Sequence, residues 1–403
     1  MDKRRVAVIG GGAAGMMAAI TAAGEGKEVT LFEKNKMLGR KLLITGKGRC
    51  NVTNDCEPEE LIKNVATNPR FLYSAFYGFD SHKTMEYFES RGVKLKTERG
   101  RRVFPESDRS ADIVNALRKN INELNINIIN DTVVSVDFDK TVCCKGKSYR
   151  FDSVIIATGG KSYPLTGSTG DGYRFATSLG HSVTPLTPAL VPVNTKEKWV
   201  RDLSGLSLKN VDLVCRQGGK RIFSERGEML FTHTGVSGPL VLSLSSVLDP
   251  KRLEEAELTI DLKPALDEKT LENRIMREIE AEKNREIKNV LRKLLPQTLI
   301  VPVLTLSAVN GEKKANSVTV SERQALVKTL KGIKLTVKEL GGFDEAVITS
   351  GGVSVREIDP KTMQSKIVKD LYFAGEIIDV DAYTGGYNLQ IAFSTGYLAG
   401  KNA

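Results

Sequence analysis

The chain has 403 residues, 40% of them hydrophobic, 27% charged and 6% aromatic, a globular composition long enough for two or three domains. No run approaches the roughly 18 apolar residues of a membrane span, and no signal-peptide pattern opens the chain. The five cysteines form no CxxC pair, and the formal charge is +10.

Those cysteines (Cys50, Cys56, Cys143, Cys144 and Cys215) show no Cys/His metal spacing, which argues against a disulfide framework, a structural zinc and a dithiol redox pair. The expectation is a cytoplasmic protein with no metal site. The positive charge leaves room for an anionic partner, although solvated lysines produce such an excess as well.

In chain order, RRVAVIGGGAAGMMAAITAAGEGKEVTLFEK predicts a buried strand at 6–9, a turn, and a helix rich in Ala and Met. The helix ends over 24–27, and a second strand follows at 29–32. Gly10, Gly12 and Gly15 have the GxGxxG spacing, and Glu33 closes the second strand. In this fingerprint the first glycine makes the tight turn, the second admits a pyrophosphate, and the third lets helix pack on strand. Anions are favoured at such a helix start because its N–H groups are free and the dipole is positive there. Glu33 is placed to accept from ribose hydroxyls, and it disfavours a 2′-phosphate.

LLITGKGRCNVTN, residues 42–54, has no hydrophobic period and reads as a polar loop. Cys50 in it is either a small packed thiol or an acid beside a cofactor, its pKa lowered by Arg49. KTERGRRVFPESDR groups Lys96, Arg99, Arg101, Arg102 and Arg109 around Phe104 and Pro105. That is a solvated basic loop or a phosphate contact for RNA. Cys143 and Cys144 read as structural. FDSVIIATGG predicts a buried strand at 154–157 ending in Thr158-Gly159-Gly160.

Residues 191–262 alternate short apolar runs with turns, as a β-rich module does. His233 in FTHTG is either a hydrogen-bonded strand-end histidine or a proton donor, and Ser237 with Pro239 predicts an N-cap and N1 pair whose helix start could hold an anion. From 263 the spacing becomes helical, with Leu271, Ile275 and Ile279 and then Ile287, Leu291, Leu294 and Leu295 as stripes. Lys288, Arg292 and Lys293 make a second basic patch. SERQ predicts a capping box of Ser321 with Gln324. The C-terminal DLYFAGEIIDVDAYTGGYNLQIAFSTG predicts a strand at 371–374, Gly375-Glu376, and a helix from about 387. Both chain ends thus return to one sheet, which suits a cofactor longer than NAD. A single GxGxxG occurs, so there is no second nicotinamide fingerprint.

Four long motifs, GRKLLITGKGRCNVTN, GRRVFPESDRSADIV, LFTHTGVSGPLVLSLS and LYFAGEIIDVDAYTGGYNLQIAFSTG, resemble the aminoacetone-oxidase-type FAD flavoproteins, also labelled BaiN/RdsA-family NAD(P)/FAD-dependent oxidoreductases. The resemblance runs end to end. It implies an α/β fold: a Rossmann-like two-dinucleotide-fold FAD domain from both chain ends, with an inserted β-rich module and a small helical module. The expected boundaries are 1–190 and 343–403 for the FAD domain, 191–265 plus about 315–342 for the β-rich module, and 266–314 for the helical insert. Family activities include oxidation of a small aminoketone, reduction of a steroid enone, and reduction of a ribosomal RNA uracil to dihydrouridine. The resemblance therefore implies FAD, with NAD(P)H bound transiently, better than it implies a substrate.

The cofactor set expected from these motifs is Gly10, Gly12, Ala13, Ala14, Gly15, Glu33, Lys34, Arg40, Lys41, Thr45, Gly46, Asn51, Val133, Val134, Ala157, Thr158, Gly159, Gly375, Glu376, Asn388, Gln390 and Ile391. Within it, Arg40 and Lys41 would meet the pyrophosphate, and Val133-Val134 would pair with adenine through backbone. Glu376 stands where many relatives have Asp, so Glu376, Asp379 or Asp381 would take the ribityl chain. Cys50 and His233 are the catalytic candidates.

Overall fold

A five-stranded parallel sheet organises both chain ends. In the computed structural model, which describes residues 3–403, its order is Leu371–Phe373, Ser153–Ile156, Arg5–Ile9, Glu28–Phe32 and Asn127–Ile129. Ile9 is level with Ile156 on one side and Phe32 on the other, while Phe373 and Ile129 extend the same level outward. The carboxyl ends of all five strands therefore form one edge. The strands are apolar because a parallel sheet is covered on both faces.

Helix Ala13–Gly24 follows the first strand and packs against the C-terminal helix Tyr387–Asn402. A Cβ at Gly396 would overlap the Ala14 carbonyl oxygen, and one at Gly400 the Ala18 carbonyl oxygen. Small residues one turn apart let the two helices touch backbone to backbone. Two three-stranded sheets belong to this unit, Val133–Val136, Thr141–Cys144 and Lys147–Arg150, and Thr53–Asn54, Arg102–Pro105 and Leu95–Glu98, together with the two-stranded pairs Thr187–Ala189 with Ile348–Ser350 and Val65–Thr67 with Asp381–Ala382.

Two compact units emerge from the contacts: the described residues through Ala189 with Phe343–Ala403, and Leu190–Gly342. The second holds a closed barrel ordered Val193–Thr195, Gly235–Ser237, Lys220–Phe231, Ser207–Gln217, Ala256–Asp261 and Ile333–Leu340. Helices Glu268–Ala281, Gln297–Leu306 and Val320–Lys331 share its core, in which Leu258, Ile260 and Leu335 cluster with Leu271, Leu299 and Leu326.

Three local expectations are corrected here. The capping box is Thr319 with Glu322, two residues before Ser321 and Gln324, because the helix starts at Val320. Gly238 caps helix Pro239–Ser245, at φ 93° and with no side-chain cap, while Ser237 ends a strand. A Cβ at Gly238 would lie 3.1 Å from the backbone of Met229 and Leu230, so the chain is too close there for a serine cap. The stripe from Ile287 forms only the short helix Ile287–Val290 and one 3-10 turn.

Candidate functional site

The carboxyl edge of a parallel sheet is where this architecture binds ligands, and the edge here gathers Gly10, Glu33, Ala157 and Gly375 from four strands. Each glycine of the turn has its own reason. At Gly10 φ is 105°, and a Cβ would lie 2.6 Å from the Ala157 carbonyl oxygen. At Gly15 a Cβ would overlap the Gly10 carbonyl oxygen. At Gly12 a Cβ would meet nothing within 4 Å, so the protein itself does not require glycine there. Gly12 caps helix Ala13–Gly24 without a side-chain hydrogen bond, and the first turn holds no acid. This helix start is open to an anion.

Glu33 is buried. Its Oε2 accepts from Gly11 N at 2.8 Å, and its Oε1 accepts from Asn35 N at 2.8 Å and Asn35 Nδ2 at 2.7 Å. These bonds hold the carboxylate against the glycine turn. Arg40 is exposed and donates to Asn35 Oδ1 at 2.8 Å. Lys34 is engaged elsewhere, with Asp171 at 2.7 Å and Thr169 at 2.5 Å. Lys41 pairs with Glu376 at 2.7 Å.

All three carboxylates considered for the ribityl chain have partners within the protein. Glu376 accepts from Lys41, Ser162 and Thr349 N. Asp379 accepts from Asn68 Nδ2 at 3.2 Å, and burial raises its carboxyl above the usual range. Asp381 accepts from Ser350 at 3.0 Å.

The loop after Lys41 is more ordered than its composition predicts. Helix Arg40–Ile44 passes into a turn in which Gly46, Lys47 and Gly48 all have positive φ, as does Cys50 at 59°. Thr45 Oγ1 donates to Leu42 O at 2.7 Å. With its amide turned to the orientation its neighbours call for, Asn51 donates to Val103 O at 3.2 Å and Thr53 O at 3.0 Å and accepts from Gly386 N at 2.9 Å, tying the loop to the start of the C-terminal helix.

Cys50 is corrected: it is fully buried, and desolvation pushes its thiol up to about 12 against a weaker lowering by Thr45. Arg49 does not activate it. The guanidinium bonds Glu98 and Asp108 and lies 4.2 Å over the Phe104 ring.

Gln390 is fully buried and bonds Thr53 at 2.6 Å, Phe79 O at 2.9 Å and Ser394 at 2.9 Å. Its side chain is an internal crosslink. Asn388 likewise holds Ala382 through N–H and carbonyl, at 3.0 and 2.7 Å, and Ile391 is buried core. Val134 is skipped by the ladder, which pairs Val133 with Cys144 and Ser135 with Cys143, and its side chain is exposed.

His233 lies in the other unit, exposed in the turn between Lys220–Phe231 and Gly235–Ser237. Among the described residues its ring makes no hydrogen bond, so the hydrogen-bonded reading is corrected; the turn is held by Thr232 instead, whose N–H donates to Gly235 O at 2.9 Å.

The basic patches are thinner than their sequence suggests. Lys96 is paired with Asp108 at 2.7 Å, Lys293 with Glu278 at 3.2 Å and Glu282 at 3.0 Å, and Lys288 with Glu286 at 3.1 Å. Arg102 donates to Arg99 O. Arg101, Arg109 and Arg292 are exposed and in no ion pair among the described residues.

Two features of the edge suit the anionic, hydrogen-bonding part of a dinucleotide cofactor: the unobstructed, uncapped helix start at Gly12, and the buried Thr158 Oγ1, which has no partner among the described residues. Sequence reasoning missed Ser162, Thr349, Asn35 and Asn54. Asn54 bonds Gly100 O at 2.9 Å and Gly385 O at 3.0 Å, joining the basic loop to the C-terminal segment. Only the second glycine of Gly159-Gly160 signalled a close approach near Ser162.

A family model described as the HI0933-like protein Rossmann domain matches residues 4–402. The 3-dehydro-bile acid delta(4,6)-reductase of Clostridium scindens is 31% identical over 409 residues, covering 99% of this chain and 98% of the relative. The ribosomal RNA dihydrouridine synthase of Escherichia coli is 31% identical over 407 residues, covering 100% of this chain and 98% of the relative. The solved 3-ketosteroid delta1-dehydrogenase from Sterolibacterium denitrificans aligns over 99% of both chains with a TM-score of 0.54 at 13% identity, a likeness of fold. No helix among the described residues is long and apolar enough to cross a membrane.

Proposed function

The chain belongs to the HI0933-like Rossmann family of FAD-dependent oxidoreductases, and on that premise we propose that it reduces a carbon–carbon double bond conjugated to a carbonyl, with a uracil of ribosomal RNA as substrate. The observation that carries this reading is that two relatives matched end to end, named for a bile acid and for ribosomal RNA, describe one transformation on different skeletons. Bound FAD supplies the hydride. The donor in this reading is NAD(P)H, bound transiently, because the chain carries a single dinucleotide fingerprint.

The protein's part is to hold and to orient. The helix start at Gly12 and the Lys41 ammonium would hold the anionic part of the cofactor, and Glu33 would hold its ribose. We take Cys50 as packing within the loop: a thiol near 12 is far from the operating pH at which proton transfer is efficient. His233, exposed and with an unpaired ring, remains the proton-donor candidate. RNA is favoured over a small substrate by the formal charge of +10 and by exposed Arg101 on the loop that Asn54 joins to Gly385. Such cations position a phosphate backbone without reading its sequence.

The equal identity of the bile-acid enzyme supports a second reading, a small-molecule enone reductase or aminoketone oxidase. Incubating the FAD-loaded protein with NAD(P)H and ribosomal RNA from a deletion strain separates them. Dihydrouridine in the digested RNA is the expected product. Turnover of a steroid enone or aminoketone with no change in the RNA would overturn the substrate and leave the flavoenzyme.

A further inference from the structure

The barrel carries a group of cations that the flavin chemistry does not use. Its longest hairpin pairs Ser207–Gln217 with Lys220–Phe231 through a two-residue loop, Gly218-Gly219, at φ 55° and 76°. Two successive positive φ values reverse the chain within that loop, so the tip is short. Gln217 pins it from beneath. Its buried amide donates to Asp249 O at 3.0 Å and Arg252 O at 2.8 Å, and its Oε1 accepts from Asp249 N at 3.0 Å.

Beside the loop, Arg216 stands opposite Arg221, with Ile222 as the extra residue of a bulge. Leu213 and Cys215 are fully buried, so alternation turns Arg216 to the outer face. Like charges directly opposite on two strands repel. Among the described residues Arg216, Lys220 and Arg221 are exposed and in no ion pair. Glu257, which faces Arg216 from the neighbouring strand, is taken by Lys334 at 3.0 Å. Elsewhere on this face the cations are matched: Arg226 bonds Asp212 opposite it at 2.6 and 3.0 Å, and Lys331 pairs with Asp261 at 2.6 Å.

A pinned tip that holds two arginines in mutual repulsion is relieved by an anion between them. The guanidinium fork fits phosphate oxygens two at a time. No large apolar side chain of Ser207–Phe231 is exposed among the described residues. The core of a protein–protein interface is apolar and aromatic, whereas a nucleic-acid interface is polar and strongly positive. We infer, on the reading of RNA as substrate, that Arg216, Lys220 and Arg221 form a docking surface for the phosphate backbone of folded RNA, in addition to the loop that carries Arg101.

The test titrates FAD-loaded protein with a transcribed ribosomal RNA fragment at several salt concentrations, with thermal unfolding of each variant alongside. Arg216→Gln with Arg221→Gln weakens binding about tenfold or more and lowers the log–log salt slope by roughly 0.7–0.9 per lost contact. Lys269→Gln with Lys328→Gln removes the same charge from exposed positions on two helices and stays within about twofold of wild type; an equal loss there makes the effect one of net charge and overturns the inference. Arg221→Glu turns the repelling rung into an attractive one, so RNA binding falls while the melting temperature does not. A lower melting temperature with unchanged RNA affinity shows an arginine that serves the fold, and overturns it too. If wild type binds RNA and the glutamine pair binds alike with the same slope, the tip is not a contact, and the RNA reading stands without it. If wild type binds no RNA but holds polyglutamate through the same arginines, the occupant is an acidic protein, and the RNA reading falls together with this surface.

Discussion

Gly12→Ala is expected to leave the fold standing and remove the cofactor. Gly12 has φ −83° and ψ −169°, an extended conformation open to any residue, and an added Cβ meets no atom within 4 Å. Alanine is a poorer N-cap than glycine, at a cost on the order of 0.5–1 kcal/mol. Against that, the loss of unfolded-chain freedom returns about 0.4–1 kcal/mol. The two nearly cancel, so the melting temperature of flavin-free protein should move by a few degrees at most. Binding should not survive as well. A methyl group that pushes the pyrophosphate off the helix start forfeits up to ~2 kcal/mol of helix-terminus interaction. One or two hydrogen bonds to a charged group go with it, at ~1.5–3 kcal/mol each. The sum runs from about 1.5 to about 8 kcal/mol, or roughly 10- to 10⁶-fold in affinity. The assay pairs thermal unfolding of stripped protein with an FAD titration. Gly15→Ala is the contrast: its Cβ would overlap the Gly10 carbonyl oxygen, so stability and FAD should fall together. If folded Gly12→Ala binds FAD like wild type, the phosphates do not lie at this turn and the site reasoning fails.

Cys50→Ala should retain FAD and keep kcat within about tenfold of wild type, whereas His233→Gln should lower it by ~10²–10⁴ at unchanged flavin content if the imidazole supplies the proton; steady-state kinetics with the accepting substrate decides both. Arg101→Ala with Arg102→Ala should weaken ribosomal RNA binding and reduce the log–log salt slope by roughly 0.7–0.9 per lost contact, and equal binding by mutant and wild type at two salt concentrations would remove the loop from the interface. Glu322 is held down to about 2 by Lys313 and then by the Thr319 N–H. A carboxyl lowered on folding contributes stability above its ordinary value of 4.5 and loses it as the pH falls toward 2. Urea midpoints between those pH values should therefore decline less steeply in Glu322→Gln than in wild type, and parallel curves would show that the cap bears no weight.

Local pattern made the strand–turn–helix–strand unit legible, along with its acid and the late strand that rejoins the sheet. The positive φ of Gly10 and the Gly10 carbonyl against Gly15 are constraints set within a few residues, and a buried parallel strand betrays itself as an apolar run. The same chemistry misled wherever the partner was distant. Arg49 adjoins Cys50 in sequence, which predicts a lowered thiol, but Glu98 and Asp108 take the guanidinium while burial raises the thiol. Lys288 and Lys293 read as a cationic patch, yet each has glutamates beside it. Gln390 sits in a motif that suggests a ligand, and its side chain is a buried crosslink to Thr53 and Phe79. By itself, then, the amino-acid order determined the sheet, the glycine turn and the kind of cofactor, because each is written in contacts between near neighbours and in side-chain periodicity. Which charges stay free, which thiol can ionise and which carboxylate pairs with which lysine were decided by the tertiary structure alone: Lys41 and Glu376 lie 335 positions apart, and only folding gives either of them a partner and a dielectric.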